Sequence, residues 1–300
     1  MRLATFDAGR GPRVGIVATD DTLVALADLV PDAPEDMVGV IGAGDALHAR
    51  IRDVASRAHN GAKLNTVRLL APIPRPRRNV FCVGWNYAEH FAEGAGVRTS
   101  TQAATGQQEL PEYPALFSKN PSTVTGPDAP VWYPDPHSTQ LDWECELAVI
   151  IGRPGLDIDE TAAMTHVFGY TCANDVSVRD VQRRHGGQWF KGKNFDSHLP
   201  LGPWIVSADE LDPAALRIQT RVNGQTKQDS NTRFMVFKIP RLVREFSAGC
   251  RLEPGDVMIT GTPEGVGFAR KPPEFLTIGD IVEVEIEGIG VLRNTVQGRP

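Results

Sequence analysis

The sequence has no long apolar run and no excess of basic residues, and both absences narrow the possible functions. No run of about 18 uncharged apolar residues occurs, and Asp, Arg and Gly interrupt the N-terminal segment MRLATFDAGRGPRVG. Neither a membrane span nor a secretory signal is therefore expected. The 300 residues carry 31 Lys and Arg against 37 Asp and Glu, a net charge of -6. Nucleic acid and anionic membranes are thus not expected as partners, and the sequence predicts a cytoplasmic globular protein.

Cysteine is also scarce. Cys82, Cys145, Cys172 and Cys250 are widely spaced and form no CxxC pair. A disulfide framework and a structural zinc site both need cysteines in organised groups. Because most of the four lie within apolar segments, they are expected to be reduced side chains of the hydrophobic core.

The chain divides into a short N-terminal part and a longer, strand-rich part. Residues 1–72 alternate like a hairpin and then become helical from Met37 to Ala58, which predicts a small α/β domain. Residues 71–78, APIPRPRR, are interpreted as a linker. Residues 73–300 contain many short apolar runs between Gly, Pro and Asp, a pattern typical of a β-sandwich, roll or barrel. The predicted fold class is α+β, mainly β.

Several segments of the longer part have recognisable patterns. Thr161–Val167 and Met235–Ala248 have helical periodicity, and residues 280–296, DIVEVEIEGIGVLRNTV, predict a hairpin. The glutamates of that hairpin alternate with Val and Ile, so they are expected to face solvent. Gly94–Tyr113 is poor in large apolar residues and long for a connection. It is therefore predicted to be a lid or disordered.

Residues 141–152, LDWECELAVIIG, predict a buried strand with three carboxylates near its start. Alternation along a strand places Asp142, Glu144 and Glu146 on one face. Like charges repel, and burying each of them is costly unless a positive charge neutralises it. The segment therefore predicts a cation beside these acids.

A divalent metal ion is one candidate for that cation. Asp175 lies far enough beyond Glu146 for the chain to turn and bring back a third carboxylate. Three oxygen ligands suit Mg²⁺, Mn²⁺ or Ca²⁺, whereas zinc favours His or Cys. The alternative is structural, with Glu144 and Glu146 flanking an edge strand and Asp175 capping a helix that begins near Val176. Spacing alone does not separate the two interpretations.

Ordered sequence blocks from Asn79 to Val296 resemble the fumarylacetoacetate hydrolase superfamily. The blocks are NVFCVGWNYAEH, ALFSKNPST, the Glu-x-Glu of residues 144–146, GYTCANDVSVRDVQ, QWFKGKNFDSHLPLGPWIV, VNGQTKQDSNT and EPGDVMITGTPEGVGF. The resemblance implies a mixed β-sheet roll that is commonly dimeric, so a homodimer is expected. It also implies Mg²⁺ or Mn²⁺ bound by Glu144, Glu146 and Asp175 and a 2-oxo or dioxo acid as substrate.

The resemblance assigns roles to further residues. His90 and Glu93 share a helix face, and in the family such a pair activates water or orients the substrate. Without the resemblance, the pair is better interpreted as a surface histidine with a salt-bridge partner. Lys193 matches a lysine that stabilises an enolate or oxyanion near the metal. The residues expected at the substrate are Trp85, Tyr87, Lys119, Gln182 and Thr262.

Other polar residues in these blocks receive structural interpretations. Asn86 and Glu89 fit a helix capping box. Lys191 is expected to be a surface lysine, and Asp196 a turn former. Asp142 is given a solvated or supporting role. For Trp85, packing in the cleft wall is preferred slightly over contact with a bulky substrate end.

The expected reaction is metal-dependent hydrolysis of a C–C bond in an acylpyruvate or related 2,4-dioxo acid. His90 and Glu93 would activate water, and the metal and Lys193 would stabilise the enolate that leaves. The alternative is decarboxylation of oxaloacetate or isomerisation of a 2-hydroxydienedioate, because both need the same stabilisation of an enolate. A third interpretation, a non-catalytic protein that binds an acid through the metal, would not require the His90–Glu93 pair.

Overall fold

The computed structural model describes residues 1–94 and 110–300, so most of the predicted lid at Gly94–Tyr113 lies outside the described residues. The strands are β1 Arg2–Asp7, β2 Pro12–Val17, β3 Thr22–Ala25, β4 Ala62–Lys63, β5 Arg68–Leu70, β6 Val80–Gly84, β7 Ala115–Lys119, β8 Val124–Thr125, β9 Pro130–Trp132, β10 Leu141–Asp142, β11 Cys145–Ile151, β12 Val167–Asn174, β13 Ser177–Val178, β14 Leu199–Ser207, β15 Arg217–Val222, β16 Gln225–Asn231, β17 Val257–Ile259, β18 Ile281–Ile286 and β19 Gly290–Gln297.

Short helices connect and cover the strands. The α-helices are α1 Leu26–Leu29, α2 Met37–Gly42, α3 Asp45–Ala55, α4 Ala88–Glu93, α5 Glu160–Ala163, α6 Arg179–Arg184, α7 Phe190–Lys193 and α8 Ile239–Ser247. The 3-10 helices are Leu64–Thr66, Pro121–Thr123, Met164–His166, Pro213–Ala215, Thr232–Phe234 and Gly267–Ala269. Within the described ranges, no helix is long and apolar enough to span a bilayer.

A large mixed sheet carries the site, and it runs in the order β4-β3-β2-β1-β14-β12-β11-β17-β6-β7. Strand β5 adds to β1, and β8 adds to β14. A second sheet has the order β16-β15-β18-β19-β9, and β10 pairs with β13 alone. The predicted mixed β-sheet fold is confirmed. Residues 1–72 extend the large sheet through the β1–β14 pairing, in which Leu3 lies opposite Ile205.

The central strand β11 is buried on both faces because two hydrophobic clusters sandwich it. Leu147 and Val149 join a cluster with residues of the second sheet and α8. Ala148 and Ile150 join another cluster, which also contains Ile51 and other apolar side chains of the N-terminal part. Strands covered on both faces have nearly continuous apolar sequences, as LAVII does. Burial on both sides fixes the position of the acids at the start of β11.

Most of the predicted local elements form close to their expected bounds. The hairpin is β18 and β19, and its Val and Ile side chains alternate with more exposed glutamates. The expected Met235–Ala248 helix begins later, at Ile239, and the expected Thr161–Val167 helix is α5 followed by a 3-10 turn. Three of the cysteines are buried and free, whereas Cys250 is exposed.

The capping box predicted for Asn86 and Glu89 does not form. Helix α4 begins one residue later than a cap at Asn86 requires, and its N-cap, Tyr87, makes no side-chain capping bond. The Asn86 amide is fully buried and donates to the carbonyl oxygens of Phe237 (3.0 Å) and Thr260 (2.8 Å). Its own oxygen accepts from the Phe237 N–H at 2.7 Å. Asn86 therefore ties the start of α4 to two distant loops.

All three of these bonds are buried, and each buried group left unpaired costs about 1–3 kcal/mol. We therefore expect Asn86→Ala to lower the free energy of unfolding by about 2–4 kcal/mol. Urea unfolding of the two proteins measures the difference. Asn79→Ala is the matched control, because Asn79 is exposed and makes one long bond, to Ser118 Oγ at 3.2 Å. An equal change in both variants would contradict a special role for Asn86.

Candidate metal centre and substrate cleft

Three carboxylates converge where β11 and β12 meet. Oxygen atoms of Glu144, Glu146 and Asp175 all lie within 4.8 Å of one another, and all three residues are buried. The antiparallel register places Cys145 opposite Asn174, so the residues before β11 and after β12 are neighbours. The Asp175 N–H donates to the Glu144 carbonyl at 2.9 Å. Backbone pairing, rather than the side chains, therefore assembles the cluster.

Two buried lysines are paired with this carboxylate cluster. Lys193 Nζ lies 2.6 Å from both Glu144 Oε2 and Asp175 Oδ2. Lys119 Nζ donates to Asp175 Oδ1 at 2.8 Å and to the Val176 carbonyl at 3.2 Å. Both side chains are nearly inaccessible to solvent. The lysines therefore neutralise part of the charge that the sequence places in the core.

Glu146 differs from its two neighbours because no Lys or Arg in the described ranges forms an ion pair with it. Its Oε2 accepts the Gly261 N–H at 2.5 Å. Burial, followed by the nearby Asp175 and Glu144 carboxylates, raises its pKa well above the usual value. Burial also opposes ionisation of Glu144, but Lys193 and Arg179 outweigh it and lower that pKa. The cluster thus has a buried acid without a counter-ion among the described residues and a hard oxygen donor set, which fit Mg²⁺ or Mn²⁺.

Asp142 is not solvated, contrary to one of the expectations for it. It is fully buried, and its oxygens accept the backbone N–H groups of Trp143, Gly267 and Phe268 at 2.8, 2.7 and 3.0 Å. Arg179 Nε donates to it at 2.7 Å. The single strand predicted for residues 141–152 is instead two strands, because Trp143 and Glu144 separate β10 from β11. Strand β10 pairs with β13, whereas β11 belongs to the large sheet. Asp142 therefore supports Arg179 and the 267–268 turn.

Arg179 is a site residue that sequence reasoning missed. Its Nη1 lies 2.6 Å from Glu144 Oε1, while Nε binds Asp142. The guanidinium carbon lies 4.4 Å from the centre of the Phe268 ring. Nη2 is buried, faces no partner in the described chain and belongs to a residue that lines the cleft. The available signal was a charge between the apolar residues Val178 and Val181.

His90 and Glu93 form the predicted pair on α4. His90 Nδ1 and Glu93 Oε1 are 2.8 Å apart, and the other Glu93 oxygen accepts the Gly265 N–H at 2.9 Å. Both side chains are largely buried, with 8% of His90 and 20% of Glu93 exposed. A carboxylate on one imidazole nitrogen fixes the tautomer and leaves the other nitrogen for proton transfer. The pair is therefore built into the cleft wall and is not a solvated salt bridge.

A cleft opens over this arrangement. Six of the expected site residues are on its surface: Trp85, His90, Glu144, Glu146, Gln182 and Thr262. Phe117, Arg183, Trp189 and Phe268 also line it, and none of these four was singled out from the sequence. Thr262 Oγ1 accepts a bond from Gln228 Nε2 at 2.8 Å, which orients the hydroxyl within its loop. The cleft thus combines a cation site, a proton-transfer pair and an aromatic wall.

The remaining expected residues lie behind this surface. Asp175, Lys119 and Lys193 are buried beneath the acids, and Glu93 stands behind His90. Tyr87 was expected at the substrate, but its ring is fully buried in the hydrophobic core. The backbone of Tyr87 forms an isolated bridge with Met235, and Tyr87 is not among the residues that line the cleft. Lys119 likewise has no exposed surface from which to contact a substrate.

We expect Lys119→Met to destabilise the fold by about 3–5 kcal/mol, because it removes one partner of a buried ion pair. Asp175 would retain Lys193 but lose the bond that holds its Oδ1 atom. Urea unfolding of the metal-free protein measures the change. Lys191→Met is the control, because that lysine is exposed and no ion pair is formed by it in the described structure. Stability equal to wild type in both variants would contradict a structural role for Lys119.

Comparison with known proteins agrees with the geometry. The family model described as fumarylacetoacetate (FAA) hydrolase C-terminal matches residues 79–297. The chain is 37% identical over 311 residues to the oxaloacetate tautomerase YisK of Bacillus subtilis, covering 99% of this chain and 100% of that protein. It is 42% identical over 301 residues to the mitochondrial oxaloacetate tautomerase FAHD2A of Bos taurus, covering 99% of this chain and 91% of that protein.

A solved relative contains a metal ion. The crystal structure of maleylpyruvate hydrolase from Sphingobium sp. SYK-6, in complex with manganese (II) and pyruvate, is 31% identical to this chain. It aligns with a TM-score of 0.79 and covers 100% of both chains. Together with the three buried carboxylates, this similarity supports a divalent metal centre at Glu144, Glu146 and Asp175.

Proposed function

The chain belongs to the fumarylacetoacetate hydrolase family, and from that membership we propose that it interconverts the keto and enol forms of oxaloacetate with Mg²⁺ or Mn²⁺. The observation that carries the proposal is the His90–Glu93 pair, bonded at 2.8 Å in the same cleft as Glu144 and Glu146. Tautomerisation needs a group that moves a proton and a positive site that stabilises an enolate. His90 would move the proton, and a metal ion at the three carboxylates would supply the positive charge. Neither water nor a leaving group is required.

The residues divide this work between them. Glu144, Glu146 and Asp175 would hold the metal ion, which when bound supplies Lewis-acid stabilisation of negative charge on oxygen. His90 would remove a proton from C3 of the keto acid and deliver a proton to the C2 oxygen to give the enol, and the reverse transfers would restore the keto form. Glu93 would keep the His90 ring in one tautomer. Arg179 would contribute positive charge through its unpaired Nη2 atom. A dianionic 2-oxo acid could pair with the bound metal ion and with Arg179, whereas a neutral substrate could not.

Support for tautomerisation over hydrolysis comes from the relatives. The two oxaloacetate tautomerases align over 99% of this chain at 37% and 42% identity. The expected alternative, decarboxylation of oxaloacetate or isomerisation of a 2-hydroxydienedioate, is thus better supported than acylpyruvate hydrolysis, although the reaction named for these two relatives is tautomerisation. Hydrolysis of a 2,4-dioxo acid stays a second candidate, because the maleylpyruvate hydrolase aligns over the whole chain. The same His90–Glu93 pair could orient a water molecule.

The test is a comparison of substrates with the metal-loaded protein. Oxaloacetate is added as its enol, and the decay of ultraviolet absorbance is followed with the protein, without it and with a chelator. We expect acceleration that the chelator abolishes, with no release of carbon dioxide and no cleavage of acylpyruvate or maleylpyruvate. Cleavage of those acids without faster enol decay would overturn the proposal in favour of hydrolysis.

A further inference from the structure

A row of aromatic rings leads from the carboxylate cluster to helix α4. Lys193 Nζ lies 5.2 Å from the centre of the Phe117 ring, and Phe117 meets Trp189 at 5.4 Å between centroids. Trp189 meets Trp85 at 4.9 Å, and Trp85 meets Phe91 at 5.8 Å. The contacts within this row are edge-to-face, with interplanar angles of 74–83°. One wall of the cleft is therefore a continuous, interlocked aromatic surface.

Trp85 adopts a backbone conformation that bulky residues avoid. Its φ angle is 55°, in the left-handed region. This region costs an L-residue about 1–2 kcal/mol, and such residues persist where their surroundings fix them, often at functional sites. Trp85 follows β6 directly and lies on the surface of the cleft. The strained turn therefore directs a large ring toward the place where a substrate would bind.

The second tryptophan depends on a glycine. A Cβ atom on Gly84 would lie 2.2 Å from Trp189 Cζ3 and 2.6 Å from Cη2. Only a residue without a side chain lets the Trp189 ring lie against the end of β6. Trp189 comes from the segment before α7, and Trp85 from the turn after β6. Two separate parts of the chain thus meet to form one aromatic pair.

We propose that the Trp85–Trp189 pair sets the size limit of the substrate and restricts the cleft to short 2-oxo dicarboxylic acids. This inference rests on the proposed function for the class of substrate and adds the residues that select its length. The rings are already in contact, at 4.9 Å, so no slot between them can take a flat end group. A substrate with a phenyl or long acyl end would have to displace one of them.

The experiment measures a ratio of kcat/KM values rather than one activity. Oxaloacetate is compared with a 2-oxo dicarboxylic acid that carries a phenyl group at C3, in metal-loaded wild type, Trp85→Gly and Trp189→Leu. We expect the preference for oxaloacetate to fall about tenfold or more in both variants, the range that steric exclusion in a pocket produces. Glycine suits the positive φ at residue 85, so Trp85→Gly should fold. Trp85→Phe keeps a ring and should retain most of the preference.

The outcomes separate this inference from the proposed function. An unchanged preference in both Trp85→Gly and Trp189→Leu, with oxaloacetate still converted, would overturn the size limit alone. If no variant converts either acid, calorimetry with oxalate and phenylpyruvate replaces the kinetic assay. Oxalate binding to wild type with phenylpyruvate binding only to the opened variants would then support the size limit without the proposed reaction. Equal binding of phenylpyruvate to wild type would overturn it.

Discussion

His90→Ala should lower kcat for oxaloacetate tautomerisation by about 10²–10⁴-fold, the usual contribution of a positioned acid–base group. His90 lies on the cleft surface, and Glu93 holds its Nδ1 side at 2.8 Å. None of the three carboxylates that would bind the metal forms a hydrogen bond with His90 in the described structure. Mn²⁺ affinity, measured by calorimetry, should therefore stay within about threefold of wild type, a difference below 1 kcal/mol.

Glu93→Gln provides the graded comparison. Glutamine keeps an oxygen for the imidazole but removes the charge that stabilises the protonated ring, so a smaller loss of kcat is expected than in His90→Ala. Glu89→Gln is the matched control, because Glu89 lies on the same helix and its side chain is exposed. Equal loss of turnover and of metal affinity in His90→Ala would contradict separate roles for the pair and the carboxylates.

Glu146→Gln and Asp175→Asn should both abolish tight metal binding, yet only one of them should weaken the fold. Asp175 is the shared counter-charge of Lys119 and Lys193, and its loss leaves two buried ammonium groups short of a partner. Breaking such a buried pair costs about 3–5 kcal/mol. Glu146 has no ion-pair partner among residues 1–94 and 110–300, so Glu146→Gln breaks no ion pair, and the amide oxygen can still accept the Gly261 N–H.

Unfolding in urea with a chelator present measures this difference. The free energy of unfolding of Asp175→Asn should fall by about 3–5 kcal/mol, and that of Glu146→Gln should equal or exceed the wild-type value. Mn²⁺ should raise the stability of wild type and of neither variant, because ligands stabilise only a state that binds them. A similar loss of stability in the two variants would contradict the assignment of Asp175, and not Glu146, as the counter-charge of Lys119 and Lys193.

The metal-ligand candidates could be predicted because carboxylates at the start of a buried apolar strand are unusual. Acids at the start of an apolar strand need an explanation, but the Glu-x-Glu spacing with a later Asp left a metal site and a structural role equally open. The resemblance to the family selected the metal site. The family and the mixed β-sheet fold were predicted correctly from ordered sequence blocks. These features depend on short-range patterns, which a single sequence displays directly. The homodimer stays a prediction.

Features that depend on long-range contacts were predicted poorly. The capping box at Asn86 was wrong because the amide binds Phe237 and Thr260, which are distant in sequence. Asp142 was considered as a solvated acid because its partner, Arg179, belongs to another element. Trp189 was overlooked because only the fold brings it to Trp85. Each of these pairings is set by tertiary structure, and no local pattern in the sequence reports it.

A crystal structure of the protein soaked in Mn²⁺, with anomalous diffraction data, would locate the metal ion that the proposed reaction requires. We expect one strong anomalous peak per chain, about 2.1 Å from oxygens of Glu144, Glu146 and Asp175. Lys193 Nζ should then no longer lie 2.6 Å from both Glu144 and Asp175. No peak between these carboxylates, with Lys193 still bridging the two acids, would contradict a metal-dependent active site in this cleft.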